Sequence, residues 1–321
     1  MSNENFRHDA AVYSSDEEFL AMAVPFVSDG VDRGEPVLVT TTPANIALLR
    51  AALGPRADAF DHAETAYFGR RPPERATEFF RYWQRKTASG TGRNVRVLAE
   101  PLWAGRTEPE KRSWRRMESG LNVVLADTNV WMICPYDTRV VCDEGIAHAL
   151  KTHPADVRGT ESIPSPDYVD PVEYANACDA VPLPERPADA AVLPLRGDLN
   201  ALRRFIVGGA VDLGLPEERA AMLTVAVGEA LVFLRDDGHV ALWPQGGAVV
   251  CELSGACGAR LDPFAGFRPP ELRAPAELGD GLWITRQVCE TVDVRTGSGT
   301  TVIRLHIAGP RSAEVVRSTR W

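Results

Sequence analysis

Seven prolines between residues 154 and 187 divide this chain of 321 residues into two parts. Proline removes a backbone donor and fixes φ, so this segment, which also carries Asp, Glu and Ser, should propagate neither helix nor sheet. We predict a semi-rigid linker over residues 158–189, between domains at 1–157 and 190–310, with a tail at 311–321. The length of the chain also favours two domains.

Helix and strand signals alternate along the first 150 residues. Ser15-Asp-Glu-Glu18 is a capping-box pattern, and the apolar residues that follow recur at helical spacing: Phe19, Ala23, Phe26 and Val27. Short apolar strands are predicted at 36–42, 95–99 and 130–134, with helix starts after Thr42 and Thr107 between them. This alternation predicts a layered α/β domain with a mostly parallel sheet.

The second part of the chain has a different order of elements. Helices are predicted at 198–211, 216–234 and 282–289, and strands at 191–195, 239–243, 249–253, 292–295 and 301–306. Pro244-Gln-Gly-Gly247 joins two of these strands with residues typical of a hairpin turn. This order predicts helices on a mixed, mostly antiparallel sheet.

Charge and composition limit the partners that we expect. The net charge is −9 and the pI about 5.3, which gives no overall attraction to nucleic acid or to an anionic membrane. The first ten residues are polar and charged, unlike a signal peptide, and no apolar run approaches the ~20 residues that span a bilayer. We therefore expect a cytoplasmic protein that binds neither nucleic acid nor membrane.

The cysteines and the basic residues favour structural roles. No C-x-x-C pair occurs among the six cysteines, and they lie in apolar segments, which favours buried, reduced thiols. The basic run Lys111–Arg116 is best explained as a solvated helix face with Trp114 packed inward.

Segments that contain polar residues lie at the carboxyl ends of three predicted parallel strands. They are Thr40–Thr42, Glu100–Trp103 and Cys134–Asp137. Ligands of open parallel sheets bind at the carboxyl ends of the strands, so these segments should converge on one pocket. No Gly-x-x-x-x-Gly-Lys-Ser/Thr loop occurs in the chain, and nothing therefore predicts that this pocket holds a nucleoside triphosphate.

Residues 5–157 resemble the MEDS family of sensory domains. The features that carry the resemblance are His8 with Tyr13, Gly34-Glu35, Glu100-Pro-Leu-Trp103, Cys134-Pro-Tyr-Asp137 and Thr152-His-Pro154. The resemblance implies a RecA-like α/β layered fold and a sensor of small molecules, among them hydrocarbon derivatives. The sensory-pocket candidates are His8, Tyr13, Glu100, Trp103, Cys134, Tyr136, Asp137 and His153.

Several of these candidates have a second explanation. Glu100 and Asp137 can polarise a ligand, but strand-end carboxylates also cap helices and backbone amides. We assign Trp103 to the pocket and Trp131 to the core. No cysteine or carboxylate stands at metal-binding spacing from His8 or His153 along the chain, so no metal site is predicted.

Residues 190–308 resemble the GHKL-type ATPase domain, and most of all the anti-sigma-factor serine kinases of bacteria. The matching segments are Asp262–Pro270, Gly279–Arg286 and Gly299–Leu305. The resemblance implies a GHKL-type α/β sandwich. In that family an Asn four residues after a Glu holds Mg²⁺, and an Asp accepts a hydrogen bond from adenine.

This chain departs from the family at both of those positions. Glu229 is kept as a vestigial catalytic candidate, but Phe233 stands in the place of the Asn, and an aromatic ring does not ligate magnesium. Gly255 replaces the Asp, which removes a buried partner for adenine. The remnants of the nucleotide loop are Gly279, Gly281 and Thr300. We predict that neither ATP nor another cofactor is required.

Three functions fit the sequence. The first is a signalling protein whose N-terminal domain senses a small molecule while its degenerate C-terminal domain binds a sigma factor or an anti-sigma antagonist. The second is an active, ATP- and Mg²⁺-dependent serine kinase, which Phe233 opposes. In the third, the C-terminal domain is only structural or dimerising, and the sequence leaves a homodimer open.

Overall fold

The chain folds into two compact units in a computed structural model that describes residues 6–88, 94–235, 238–257, 261–270 and 279–308. The first unit reaches Ala175 and the second begins at Asn176, so the division falls inside the predicted linker. Among the described residues, no helix combines the length and the apolar character that crossing a bilayer requires.

The first unit is built on a seven-stranded sheet in the order β3-β2-β4-β5-β1-β6-β7. Its strands are β1 Arg7–Tyr13, β2 Val37–Thr41, β3 Asp61–Glu64, β4 Val95–Ala99, β5 Val130–Asp137, β6 Ala155–Arg158 and β7 Glu161–Pro164. All pairings are parallel except that of β6 with β7. The predicted mostly parallel sheet is confirmed, and β1, which the periodicity did not predict, lies near its centre.

Three of the helices between Asp16 and Asp179 begin where capping residues predicted them. The helices in this range are α1 Asp16–Asp32, α2 Pro43–Leu53, α3 Pro72–Thr87, α4 Glu108–Val124, α5 Asp143–Thr152 and α6 Pro171–Asp179, with a 3₁₀ helix at Gly54–Ala59, and the three are α1, α2 and α4. The side chains of Ser15, Thr42 and Thr107 each accept a hydrogen bond from a backbone N–H in the first turn of α1, α2 and α4. Local sequence therefore determines these starts.

The linker prediction is wrong in part, because β7 and α6 lie within residues 158–189. Pro164 ends the edge strand β7, and Pro171 opens α6, and both are positions that tolerate proline. Asp170 caps α6 by accepting from the N–H groups of Val172 and Glu173 at 2.9 and 3.1 Å. The linker prediction counted prolines and did not consider that an edge strand and the first turn of a helix both tolerate proline.

The two faces of the parallel sheet carry different chemistry. Tyr13 and Ile133 belong to a core that includes the apolar face of α1, with Phe19 fully buried. Side chains alternate along a strand, so His8 and Cys134 lie on the opposite face. The register places them diagonally, since His8 pairs with Met132, two residues before Cys134.

The second unit is a five-stranded sheet in the order β11-β12-β10-β9-β8, with every described pairing antiparallel. The strands are β8 Ala191–Pro194, β9 His239–Gln245, β10 Ala248–Ala256, β11 Thr291–Gly297 and β12 Thr300–Ala308; the helices are α7 Leu199–Asp212, α8 Glu217–Leu231 and α9 Asp280–Val288. Gly246 and Gly247 turn the β9–β10 hairpin with φ of 57° and 79°.

The apolar faces of α7, α8 and α9 pack on one face of this sheet. Ile206 of α7, Val227 of α8 and Leu282 of α9 share a core with Cys251 and Leu305 of the strands. Helices on a sheet are therefore confirmed, and the sheet, predicted to be mixed and mostly antiparallel, is antiparallel at every described pairing. The predicted tail at 311–321 lies outside the described residues.

We predict that Gly69→Ala destabilises the first unit more than Gly105→Ala does. Both glycines have positive φ, of 63° and 74°, which costs alanine about 1–2 kcal/mol. A Cβ at Gly69 would also lie 2.3 Å from Arg75 Cα, whereas nothing lies within 4 Å of one at Gly105. Relief of that clash should cost about 1–3 kcal/mol more.

Urea unfolding of the full chain measures the difference, with Gly105→Ala as the matched control. Equal losses of unfolding free energy in the two variants would show that α3 is not held against Gly69.

Candidate functional site

A cavity of about 300 Å³ lies at the carboxyl ends of β1, β2, β4 and β5. The polar residues that line it include Tyr13, Thr42, Asn45, Glu100, Trp103, Asp137 and Arg139. Four of the eight predicted pocket residues are in this group. The expectation that strand ends converge on one pocket is therefore met for Tyr13, Glu100, Trp103 and Asp137.

Glu100 is the polar centre of the cavity wall. Its Oε1 accepts from the Tyr13 hydroxyl at 3.3 Å, and its Oε2 accepts from Asn45 Nδ2 at 3.0 Å and from the Thr41 hydroxyl. Asn45 Nδ2 also donates to the Tyr13 oxygen at 2.9 Å. Burial and the neighbouring Glu100 carboxylate raise the pKa of Tyr13, which stays protonated and able to donate.

Asp137 lines the cavity, but its carboxylate is hydrogen-bonded to the neighbouring Arg139. Its Oδ2 accepts from Arg139 Nη2 at 2.8 Å, and its Oδ1 accepts from the Arg139 backbone N–H at 2.9 Å. These hydrogen bonds hold the pKa of Asp137 below its usual value. Arg139, which also donates to Asp16 at 3.0 Å, forms an exposed rim. For Asp137 the structural explanation is therefore the better one.

Trp103 lines the cavity. Its indole Nε1 is buried and has no hydrogen-bond partner among the described residues. Trp131, by contrast, donates to Asp9 Oδ2 at 2.9 Å and meets the Phe26 ring edge-on at 5.0 Å. Trp131, predicted to lie in the core, is only partly buried and packs against the core at its margin, and Trp103 lines the cavity as predicted.

Arg75 of α3 supports the site from behind, and the sequence reasoning missed it. The side chain is 1% exposed. Its Nη2 donates to Thr40 Oγ1 at 3.1 Å and to the Glu100 carbonyl at 3.0 Å, and its Nη1 donates to the Phe68 carbonyl at 3.0 Å. Arg75 therefore fixes the ends of β2 and β4 relative to each other. The sequence did carry a sign that Arg75 is buried, because Arg75 stands next to Ala76 and four residues before Phe79 on a helix.

The other four predicted pocket residues do not line the cavity, which corrects the prediction. His8, Cys134, Tyr136 and His153 are fully buried on the opposite face of the sheet. The reason is strand alternation, because Cys134 and Tyr136 point away from the face that carries Asp137. The two histidine rings are stacked at a tilt, with their centroids 4.0 Å apart.

Glu118 of α4 completes this second group. His8 Nε2 lies 3.4 Å from Cys134 Sγ and 3.7 Å from Glu118 Oε2, which is 3.8 Å from His153 Nε2. Burial lowers the pKa of His8, lowers that of His153 to about 4, and raises that of Glu118 to about 7. The expectation of no metal site rested on spacing along the chain, and the fold brings Cys134 and Glu118 next to the two histidines.

In the second unit, three residues of the predicted nucleotide site have packing or capping contacts: Glu229, Phe233 and Gly279. A Cβ at Gly281 would lie 1.8 Å from Glu229 Oε2, so the Glu229 carboxylate packs directly on the first turn of α9. Phe233 is 1% exposed within the core. Gly279 is the N-cap of α9, with φ of 115°, and Thr300 is exposed where β12 begins.

Comparison with known families supports a sensory assignment for the first unit. Residues 7–154 match the family model MEDS, described as "MEthanogen/methylotroph, DcmR Sensory domain". This match agrees with the resemblance found in the sequence and indicates a sensory or signalling role. No curated protein matches the chain. The GHKL resemblance of the second unit stays a prediction.

We predict that Tyr13→Phe destabilises the protein by about 1–3 kcal/mol, because it leaves Glu100 and Asn45 with one partner fewer in a buried place. Tyr67→Phe is the matched control, since the Tyr67 side chain is 43% exposed and its hydroxyl can turn to water. That change should stay within about 0.5 kcal/mol.

Chemical denaturation of the full chain measures both changes. A Tyr13→Phe variant as stable as Tyr67→Phe would contradict the hydrogen-bond network around Glu100.

Proposed function

We propose that this protein is a signalling regulator that senses a small molecule in the strand-end cavity and reports it to a protein partner through its second unit. The observation that carries the sensing half is the cavity itself. It brings the Trp103 side chain and the hydrogen-bonded Glu100 carboxylate into one lining that encloses about 300 Å³ of space. The MEDS match of residues 7–154 supports the same half.

The lining of the cavity indicates what kind of molecule it takes. One water occupies roughly 30 Å³ in the liquid, so the cavity has room for a molecule of roughly ten groups, each about the size of a water molecule. Leu48, Pro101 and Val141 supply apolar wall, and in this proposal the buried, unpartnered Trp103 N–H turns toward the bound molecule and donates to its oxygen. A short hydrocarbon chain that carries an alcohol, carbonyl or amide oxygen matches this combination of surfaces.

The second unit acts, in this proposal, by binding rather than by catalysis. Its resemblance to anti-sigma-factor kinases suggests a sigma factor or an anti-sigma antagonist as the partner. Glu229 packs against the first turn of α9 and Phe233 is part of the core, which supports a domain that does not use Mg²⁺-ATP. The proposal needs no cofactor for partner binding.

The sensing half predicts a ligand-dependent gain in thermal stability. Short-chain alcohols, aldehydes, ketones and amides are to be screened against the full chain by differential scanning fluorimetry. A ligand at about 100 times its Kd should stabilise the folded protein by about 2.7 kcal/mol. Trp103→Phe, which keeps the ring and removes the donor, should weaken binding roughly tenfold.

Trp83→Phe is the matched control, because the Trp83 Nε1 donates to Asn129 at 2.7 Å and does not line the cavity. It should leave the affinity unchanged. A panel in which no compound stabilises the wild-type chain, or in which Trp83→Phe weakens binding as much as Trp103→Phe, would contradict sensing in this cavity.

The partner half predicts a complex that forms without phosphate transfer. We expect the full chain to co-purify with a sigma factor or antagonist of its own genome, to yield no phosphoserine on that partner with Mg²⁺-ATP, and to bind equally well as Glu229→Gln. Phosphoserine that disappears in Glu229→Gln would favour the kinase alternative. Failure to bind any such partner would refute this half alone.

A further inference from the structure

Four potential metal ligands meet on the face of the first sheet that is turned away from the cavity. They come from β1 (His8), α4 (Glu118), β5 (Cys134) and the residue after α5 (His153). One ligand atom from each lies within 4.8 Å of the others, and the four side chains are 0–3% exposed. Burying four such groups together is costly unless something satisfies them.

Four of the six donor–donor distances in the group, from 3.4 to 3.9 Å, lie at or close to the edge lengths of a tetrahedral site. Zinc bonds of about 2.0–2.3 Å to N, O and S give donor–donor edges of about 3.3–3.8 Å in a tetrahedron. The edges here are 3.4 Å between Cys134 and His8, 3.7 Å between His8 and Glu118, 3.8 Å between Glu118 and His153, and 3.9 Å between Cys134 and Glu118. Ordinary buried hydrogen bonds between nitrogen and oxygen are shorter, at 2.7–3.2 Å.

The histidines present the correct nitrogen to the centre of the group. His8 Nδ1 lies 3.2 Å from Asn122 Oδ1, and His153 Nδ1 lies 2.8 Å from the Ala149 carbonyl. With the proton on Nδ1, each Nε2 keeps a free lone pair, as metal-binding histidines require. His153 Nε2 is buried and has no hydrogen-bond partner among the described residues. An unpartnered lone pair in that position is suited to bind a metal ion.

A second layer of contacts holds this arrangement. Asn122 Nδ2 donates to the carbonyl oxygens of Ser119 and Thr152 at 3.1 and 2.8 Å, and this fixes its Oδ1 as the acceptor for His8. Outer partners of this kind orient the ligands of known metal sites. Residues outside the four ligands therefore also hold the ligands in position.

We propose that His8, Glu118, Cys134 and His153 bind one divalent transition-metal ion, and that this ion is zinc. Two imidazoles, a thiolate and a carboxylate form a ligand set of borderline softness that suits Zn²⁺ better than Mg²⁺ or Ca²⁺. Four protein ligands leave no open position, which makes the site structural. It joins β1, β5, α4 and the end of α5. Its four ligands are different residues from those that line the cavity, and its presence does not depend on the proposed function.

Metal analysis of the full chain, purified without a histidine tag, tests the proposal. We expect one zinc per chain, and after replacement by Co²⁺ the visible bands of a tetrahedral site together with a thiolate-to-cobalt charge-transfer band. Cys134→Ser should abolish the charge-transfer band, and Glu118→Gln should reduce zinc retention. Asn122→Ala, which changes a positioning residue, should weaken zinc affinity roughly 10–100-fold in competition with a chelator.

Cys142→Ser and His62→Gln are the matched controls, since both residues are exposed, and each should keep the zinc and the cobalt spectrum. Circular dichroism checks that each variant folds. The cobalt spectrum of the wild-type chain gives an answer even if Cys134→Ser does not fold. A folded wild-type chain that contains no metal and takes up neither Zn²⁺ nor Co²⁺, or one whose Co²⁺ lacks a thiolate band, overturns the proposal.

Discussion

The buried guanidinium of Arg75 is the interaction on which the first unit depends. A fully desolvated cation is tolerated only where hydrogen bonds and charges compensate it. The guanidinium donates hydrogen bonds to the carbonyl oxygens of Phe68 and Glu100. Burial lowers the pKa of Arg75, and the charge of Glu118 opposes this by favouring the ionised form. Arg75 also lies over the faces of aromatic rings, with its Cζ 5.3 Å from the centre of Phe79. One side chain of α3 thus supports both the cavity wall and the buried cluster.

Sheet topology explains why functional side chains gather at two places. β1 lies between β5 and β6, so residues from the start of the chain stand beside residues 130–137. Alternation along these two strands then sends Tyr13 and Asp137 toward the cavity side and His8 and Cys134 toward the other side. The MEDS-like features near residues 8, 13, 134 and 137 were grouped as one pocket in the sequence, and the structure separates them by the face on which they lie.

The sequence predicted what depends on local rules and missed what depends on packing. Capping residues such as Thr107 identified helix starts, and the rule for parallel strand ends identified the Glu100 region. Arg75 and Glu118 were missed because charged residues on helices are expected to face water. Glu118 did carry a signal, since it lies four residues after Trp114 and three before Leu121, within the apolar stripe of α4. Linear spacing could not reveal the His8 and Cys134 pair, because only the pairing of β1 with β5 brings them together.

The same two strands serve both sites, and this sets a physical limit on how the sensor can respond. Tyr13 and His8 are five residues apart on β1, and Cys134 and Asp137 are three apart on β5. A metal that joins His8 to Cys134 would fix β1 against β5 below the cavity and remove sliding between them. Ligand-induced movement would then have to occur in the loops above the strand ends, where Trp103 and Arg139 lie. Close-packed strands resist deformation, whereas rearrangement of the rim costs less because it is exposed.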